Sequence, residues 1–219
     1  MKKVAVVLSG CGVFDGSEIH ESVLTLLALD QHDSETAIFA PNIPQQHVIN
    51  HLTGEEAKET RNVLVESARI ARGKISDINS LQIDQFDALV FPGGFGVAKN
   101  LSDFAFKGAE CQIHPTIARV IEDALKARLP MAFLCIAPVV LARVAAKLEL
   151  SPYLTIGSDD QTAQQIERIG ARHQNCPASD YVIDGELKII TTPAYMLGQR
   201  ISEVAEGIDR AINALLDLC

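Results

Sequence analysis

Pro130-Met-Ala-Phe-Leu-Cys-Ile-Ala-Pro138 places a strand, a turn and a helix start in one short stretch. Met131 to Leu134 is a brief apolar run. Pro138 suits the first turn of a helix, where its missing N–H costs nothing and its φ is already set. Cys135 to Ala137 then form the turn itself. Working outward, similar runs recur at Val4 to Leu8, Thr36 to Ala40 and Ala88 to Phe91. Stretches of helical period lie between them, including Glu55 to Arg72 and Thr116 to Ala127. Strands alternating with helices imply a parallel sheet covered on both faces, that is, an α/β fold built as a three-layer αβα sandwich. Tyr181 to Asp184 and Lys188 to Thr192 flank Gly185-Glu186 and predict a hairpin, so the sheet is mostly rather than wholly parallel. A final helix is expected over Ile201 to Leu218.

The chain has 219 residues, enough for one substantial core, and no Gly/Ser/Pro-rich or charged linker divides it, so residues 1–219 are expected to form a single domain. Its 47% hydrophobic content is spread over short runs, none near the roughly 20 apolar residues that a membrane span requires. The opening Met1-Lys-Lys-Val-Ala-Val-Val-Leu-Ser-Gly10 runs straight into a glycine turn and reads as a first strand, not a signal peptide. Five cysteines without a CxxC pair argue against a disulfide framework or a structural zinc site, and point to a reducing cytoplasm. A net charge of −9 disfavours nucleic acid and anionic membranes, both of which need clustered Lys and Arg. Small molecules or proteins are the expected partners.

In open α/β sheets, ligands bind beyond the carboxyl ends of the strands. Three strand ends carry unusual residues: Ser9-Gly-Cys-Gly-Val-Phe-Asp-Gly16, Pro92-Gly-Gly-Phe-Gly96 and Cys135-Ile-Ala-Pro138. A thiol on a tight strand-to-helix turn is held out of the sheet, beside unpaired helix N–H groups that stabilise negative charge. Free cysteine also serves as a small buried hydrophobe, so this segment alone leaves both roles open. Pro92-Gly93-Gly94 adds a turn whose backbone N–H can approach a reacting oxygen with no side chain intervening. Glu18, His20 and Glu21 follow the first glycine loop, where a helix should begin. Carboxylates there commonly just complement the helix dipole.

Phe91-Pro-Gly-Gly-Phe-Gly-Val-Ala-Lys-Asn-Leu-Ser102 and Leu134-Cys-Ile-Ala-Pro138, in this order behind an early Glu-bearing helix, resemble the PfpI-like superfamily with the class I glutamine amidotransferase-like, flavodoxin-like fold. Ser9 to Glu21, Asn50-His-Leu-Thr-Gly54, Thr60-Arg-Asn62 and Thr191-Thr-Pro-Ala-Tyr-Met196 are similar to the ElbB branch, described as isoprenoid-biosynthesis-associated or glyoxalase proteins. The likeness runs from the first strand to the last helix. It places the nucleophilic cysteine at Cys135 and the carboxylate that contacts it at Glu21, with Glu18 as the other candidate. It puts the oxyanion donors on the backbone N–H groups of Gly94 and Ile136. A protonated Glu21 would favour the thiolate by donating to it; an ionised one would disfavour it and act as a base.

Many members of the superfamily carry a histidine shortly after the cysteine segment. Here that stretch is Leu154-Thr-Ile-Gly-Ser-Asp-Asp160, without one, and the next is His173. Glutaminase or protease chemistry needs a general base and acid around the thiol, so this departure counts against both. Gly10-Cys-Gly-Val-Phe-Asp15 lacks the third glycine of a dinucleotide fingerprint, and there is no P-loop. His47 and His51 would share a helical face, but no HExxH pattern or acidic partner accompanies them; no metal and no cofactor is expected. Cys11 either lines the Cys135 pocket or packs.

The resemblance implies a cofactor-independent glyoxalase in which Cys135 captures glyoxal or methylglyoxal as a hemithioacetal and Glu21 shuttles protons, yielding a hydroxy acid. The competing expectation is a reactive-thiol sensor or binding protein that modulates a metabolic partner. Ammonia release from glutamine would mark a third, amide-hydrolysing class. Relatives commonly self-associate, so a homodimer is expected.

Overall fold

In the computed structural model, which describes residues 1–219, strands and helices alternate along the chain as expected. The first half runs β1 (Lys3–Val7), α1 (Ile19–Gln31), β2 (Glu35–Ala40), α2 (Val63–Ile70), β3 (Ser76–Asp77) and β4 (Ala88–Phe91). The middle comprises α3 (Phe104–Lys107), α4 (Pro115–Ala127), β5 (Met131–Leu134) and α5 (Pro138–Lys147). It continues through β6 (Tyr153–Leu154), α6 (Asp160–Ile169), β7 (Arg172–His173), β8 (Val182–Asp184), β9 (Ile189–Thr192) and α7 (Ile201–Asp217).

Seven strands form one sheet in the order β3-β2-β1-β4-β5-β9-β8, parallel throughout except for the antiparallel β8–β9 edge. That edge is the hairpin expected around Gly185-Glu186. The pair β6–β7 forms a separate two-stranded parallel sheet.

The central strands are buried on both faces, and their period of two sorts side chains between two cores. Val4, Val6, Val90, Ala132, Leu134 and Ile190 pack with Ala28 and Leu29 of α1 and with Val204, Ile208 and Ile212 of α7. Ala5, Val7, Leu89, Phe91, Met131 and Phe133 pack with Ile117 and Ile121 of α4 and Val139 and Val140 of α5. Phe91 and Phe133 stack with ring centroids 4.8 Å apart. Helix α5 is apolar nearly all round because it lies between the sheet, α4 and α6. No helix is long and apolar enough to cross a membrane.

One expected element is much shorter than its periodicity suggests. Of Glu55 to Arg72, only Val63–Ile70 is helical, because the Asn62 side chain accepts from the Val65 N–H and caps the start. The polar Glu55–Arg61 run instead pairs with the segment before it: Asn50 N–H donates to Glu55 O and Ala57 N–H to Val48 O. His47 and His51 therefore lie in a loop rather than on one helical face. His47 sits edge-on to Phe106 and His51 beside Phe14.

Because β1, β4, β5 and β9 are parallel neighbours, the chain leaves all four at the same edge of the sheet. The loops that follow them meet there.

Candidate active site

Cys135 directly follows β5 with φ +58°, a left-handed conformation that non-glycine residues seldom adopt. Its N–H donates to Thr192 O of β9 at 3.0 Å, and Pro138 opens α5 three residues on, so both sides hold the strained turn in place. The side chain is thereby held out of the sheet at the N-terminus of α5. The N–H groups of Gly94 and Ile136 donate to no main-chain carbonyl; both point at Cys135 Sγ.

Glu21 occupies the first turn of α1 and is fully buried. Its Oε2 accepts from Gly93 N–H at 2.9 Å and its Oε1 from Tyr195 N–H at 3.1 Å. The carboxyl is in hydrogen-bond contact with the Cys135 thiol. Gly93 makes that contact possible: a Cβ there would collide with Cys135 Cβ and lie 2.7 Å from Glu21 Oε2 and 3.0 Å from Sγ. Gly94 has φ +99°, and a Cβ on it would strike Glu18 N and Gly16 O. Both glycines are thus demanded by close approach. Glu18 acts differently, since its Oε2 accepts from Glu21 N–H at 2.6 Å and caps the helix.

Burial pushes the Glu21 carboxyl up to about 8, with the Glu18 charge adding to the rise; the N–H donors of Tyr195 and Gly93 and the Cys135 thiol oppose it. Burial likewise pushes the Cys135 thiol well up, an ionised Glu21 adds to this, and the N–H groups of Gly94 and Ile136 oppose it. A carboxyl raised in this direction favours the protonated form, which removes the negative charge facing the sulfur and leaves an O–H able to donate to a thiolate. The two groups titrate as a pair.

Cys135 and Ile136 form the floor of a cavity of about 270 Å³ that Glu18, Gly94, Phe95 and Tyr195 also line. A larger open groove of about 450 Å³ between α1, β2 and the chain after α2 contains no part of this constellation.

The structure thus brings together Cys135, Glu21, Gly94 and Ile136. It does not bring in His173, whose Nε2 accepts from Ile156 N–H at 3.3 Å and which does not line the cavity. Cys11 is also elsewhere, half-buried among Glu66, Arg69 and Asp15. A pair that lies within the quoted motifs but was assigned no role from sequence stands at this end of the sheet instead. Tyr195 lines the cavity, and its hydroxyl lies 2.8 Å from His20 Nδ1. The signals available were their membership of the Ser9 to Glu21 and Thr191 to Met196 motifs, the place of His20 beside Glu21, and the place of Tyr195 after a strand end. The Asn100 amide braces the first glycine loop, its Nδ2 donating to Ser9 O and Asp15 O at 2.9 Å each.

No family model matches the chain. It is 42% identical to the ES1 protein homolog, mitochondrial, of Rattus norvegicus over 226 aligned positions covering 99% of this chain and 84% of that protein. It is also 42% identical to the human glutamine amidotransferase-like class 1 domain-containing protein 3, mitochondrial, with 99% and 83% covered. The zebrafish ES1 protein, mitochondrial, is 34% identical over 88% of this chain and 76% of its own length. Among solved structures, an isoprenoid biosynthesis protein with amidotransferase-like domain from Ehrlichia chaffeensis superposes with TM-score 0.93 at 38% identity, covering 100% of this chain and 99% of that one. Drosophila melanogaster DJ-1beta shares the fold alone, with TM-score 0.54 and 17% identity over 99% and 95% of the two chains.

These relatives overturn the expectation of a cytoplasmic protein, since all three curated proteins are named mitochondrial. Free cysteines report a reducing environment; they do not say which compartment supplies it. In fold and in sequence alike, the chain belongs to the ES1/ElbB family of class I glutamine amidotransferase-like proteins.

Proposed function

We propose that the protein is a cofactor-independent glyoxalase that converts a 2-oxoaldehyde to a 2-hydroxy acid at Cys135. The observation that carries this reading is the buried contact between Cys135 and a raised-pKa Glu21, with two otherwise unused N–H groups directed at the sulfur. In the form of the Cys135–Glu21 pair that has released one proton to solvent, the charge rests on sulfur and Glu21 keeps the remaining proton; this thiolate adds to the aldehyde carbon, forming a C–S bond as the carbonyl π bond opens. The N–H groups of Gly94 and Ile136 stabilise the resulting alkoxide as charge moves from sulfur to oxygen. Glu21 gives that oxygen its proton and becomes a carboxylate, able to remove the hydrogen from the former aldehyde carbon. Reprotonation at the neighbouring carbon yields a 2-hydroxy thioester, and water hydrolyses it to the hydroxy acid and the free thiol. The aldehyde carbon is oxidised and its neighbour reduced, so no external electron acceptor enters. The Tyr195 hydroxyl, backed by His20, serves as the second proton carrier.

Wild-type protein is expected to form glycolate from glyoxal and lactate from methylglyoxal without added thiol or metal, and Cys135→Ala is expected to lose this activity. Unchanged turnover in the variant would refute the assignment. One observation favours a second reading, a reactive-thiol sensor without efficient turnover: no histidine lines the cavity. Rapid alkylation of Cys135 near neutral pH with no aldehyde conversion would select it.

A further inference from the structure

Glyoxal and methylglyoxal are small and strongly hydrated, and the cavity above Cys135 matches them poorly. Apart from Cys135 and Tyr195, seven of its twelve lining residues carry apolar side chains, and its volume is about 270 Å³. At about 30 Å³ per molecule of liquid water, that is space for about nine waters, far more than a two-carbon dialdehyde occupies. Polar groups concentrate at the sulfur end, where Gly94 N–H and Glu21 converge. Away from it, the walls are Val13, Phe95, Ala98, Phe104, Ile136 and Met196. Phe95 is 48% exposed and marks the mouth. A short hydrated aldehyde would lose solvation on entering and gain little, because beyond Glu18, Tyr195 and Thr162 the side chains of these walls offer it no hydrogen-bond partners. A ligand carrying the reacting carbonyl at one end and a hydrocarbon body at the other would satisfy both halves.

We infer that the substrate of this site is a 2-oxoaldehyde with an extended alkyl or aryl tail, which fills the apolar walls while its aldehyde carbon reaches Cys135. The inference rests on the glyoxalase reading for the reacting group and on the cavity walls for the tail. The covalent steps are unchanged; only the substituent on the ketone carbon differs.

The deciding measurement is kcat/KM for wild-type protein across a series from methylglyoxal through straight-chain 2-oxoaldehydes to 2-oxo-octanal, with phenylglyoxal as the aryl member. A rise approaching fourfold per methylene, the worth of one buried CH₂, is expected until the cavity is filled. Ala105→Phe, at the exposed rim of the cavity, should compress that rise by shortening the space. A flat or falling series would overturn the inference while leaving the glyoxalase reading standing. If no aldehyde is converted, the glyoxalase reading fails, and the tail is tested directly by alkylating Cys135 with iodoacetamide and with N-hexyliodoacetamide. Faster reaction of the hexyl reagent at Cys135, lost relative to iodoacetamide in Ala105→Phe, supports an apolar-tailed ligand. Equal rates overturn it.

Discussion

Replacing Glu21 with glutamine should change how stability depends on pH, in a direction opposite to that of most carboxylates. Burial raises this group from 4.5 to about 8. Between those values the unfolded chain has released the proton while the folded chain keeps it, so the native state is progressively disfavoured as pH rises. The difference of about 3.5 units (8 − 4.5) at ~1.4 kcal/mol per unit amounts to on the order of 5 kcal/mol by pH 8. Glu21→Gln removes that dependence. It also introduces a cost that does not vary with pH. The Glu21 oxygens each accept a backbone N–H, from Gly93 and from Tyr195, and an amide can accept only at its single oxygen. One N–H then loses its partner, at about 1–3 kcal/mol. The variant should therefore be less stable than wild type at pH 5, with the gap closing and then reversing by pH 8. Urea unfolding of both proteins at half-unit steps from pH 5 to 8.5 measures this. A difference between wild type and variant that stays constant over the range would refute a protonated Glu21, and with it the proton donor of the proposed mechanism.

Gly93→Ala should break the site without unfolding the sheet. The new Cβ falls against Cys135 and Glu21 Oε2, so hydroxy acid formation should drop at least 100-fold while the far-ultraviolet dichroism is kept; retained activity would sink the close-contact argument. Tyr195→Phe keeps the main-chain N–H that holds Glu21 but removes the hydroxyl facing His20. Its kcat should fall about 100-fold, within the range of general acid–base effects, with Cys135 alkylation within about twofold of wild type; parallel losses in both would make Tyr195 merely structural. Self-association, implied by the family resemblance, should appear in equilibrium sedimentation as twice the 23.7 kDa chain, and a species at the chain mass alone would reject it.

The amino-acid sequence by itself determined the layering. Strands Ala88–Phe91 and Met131–Leu134 are legible to the residue, because a short apolar run ending at Pro-Gly-Gly or at a Cys-to-Pro turn leaves the backbone few choices. The same local logic marked Cys135 as a thiol held outside the sheet. Where the signal was composition alone it failed: the charged Glu55–Arg61 run has helical propensity but no face to bury, so contacts with residues 48–50 won. The compartment failed for a similar reason, since a thiol count reports redox conditions and not location.

The tertiary structure decided what no local pattern contains. Two glutamates stand three residues apart on the same turn, equivalent by propensity, yet Glu18 caps the helix while Glu21 is sealed against Cys135 by Gly93 and Tyr195. The upward shift of the Glu21 carboxyl follows from that sealing, because desolvation depends on every neighbour that excludes water, and these come from four separate strand ends. The cavity is likewise assembled from Val13, Phe95, Phe104, Ile136 and Met196, whose side chains no local pattern shows lining one space. Backbone preference acts over a few residues and can be read along the chain; the electrostatics and apolar shape of a buried site belong to atoms that meet only after the chain has folded.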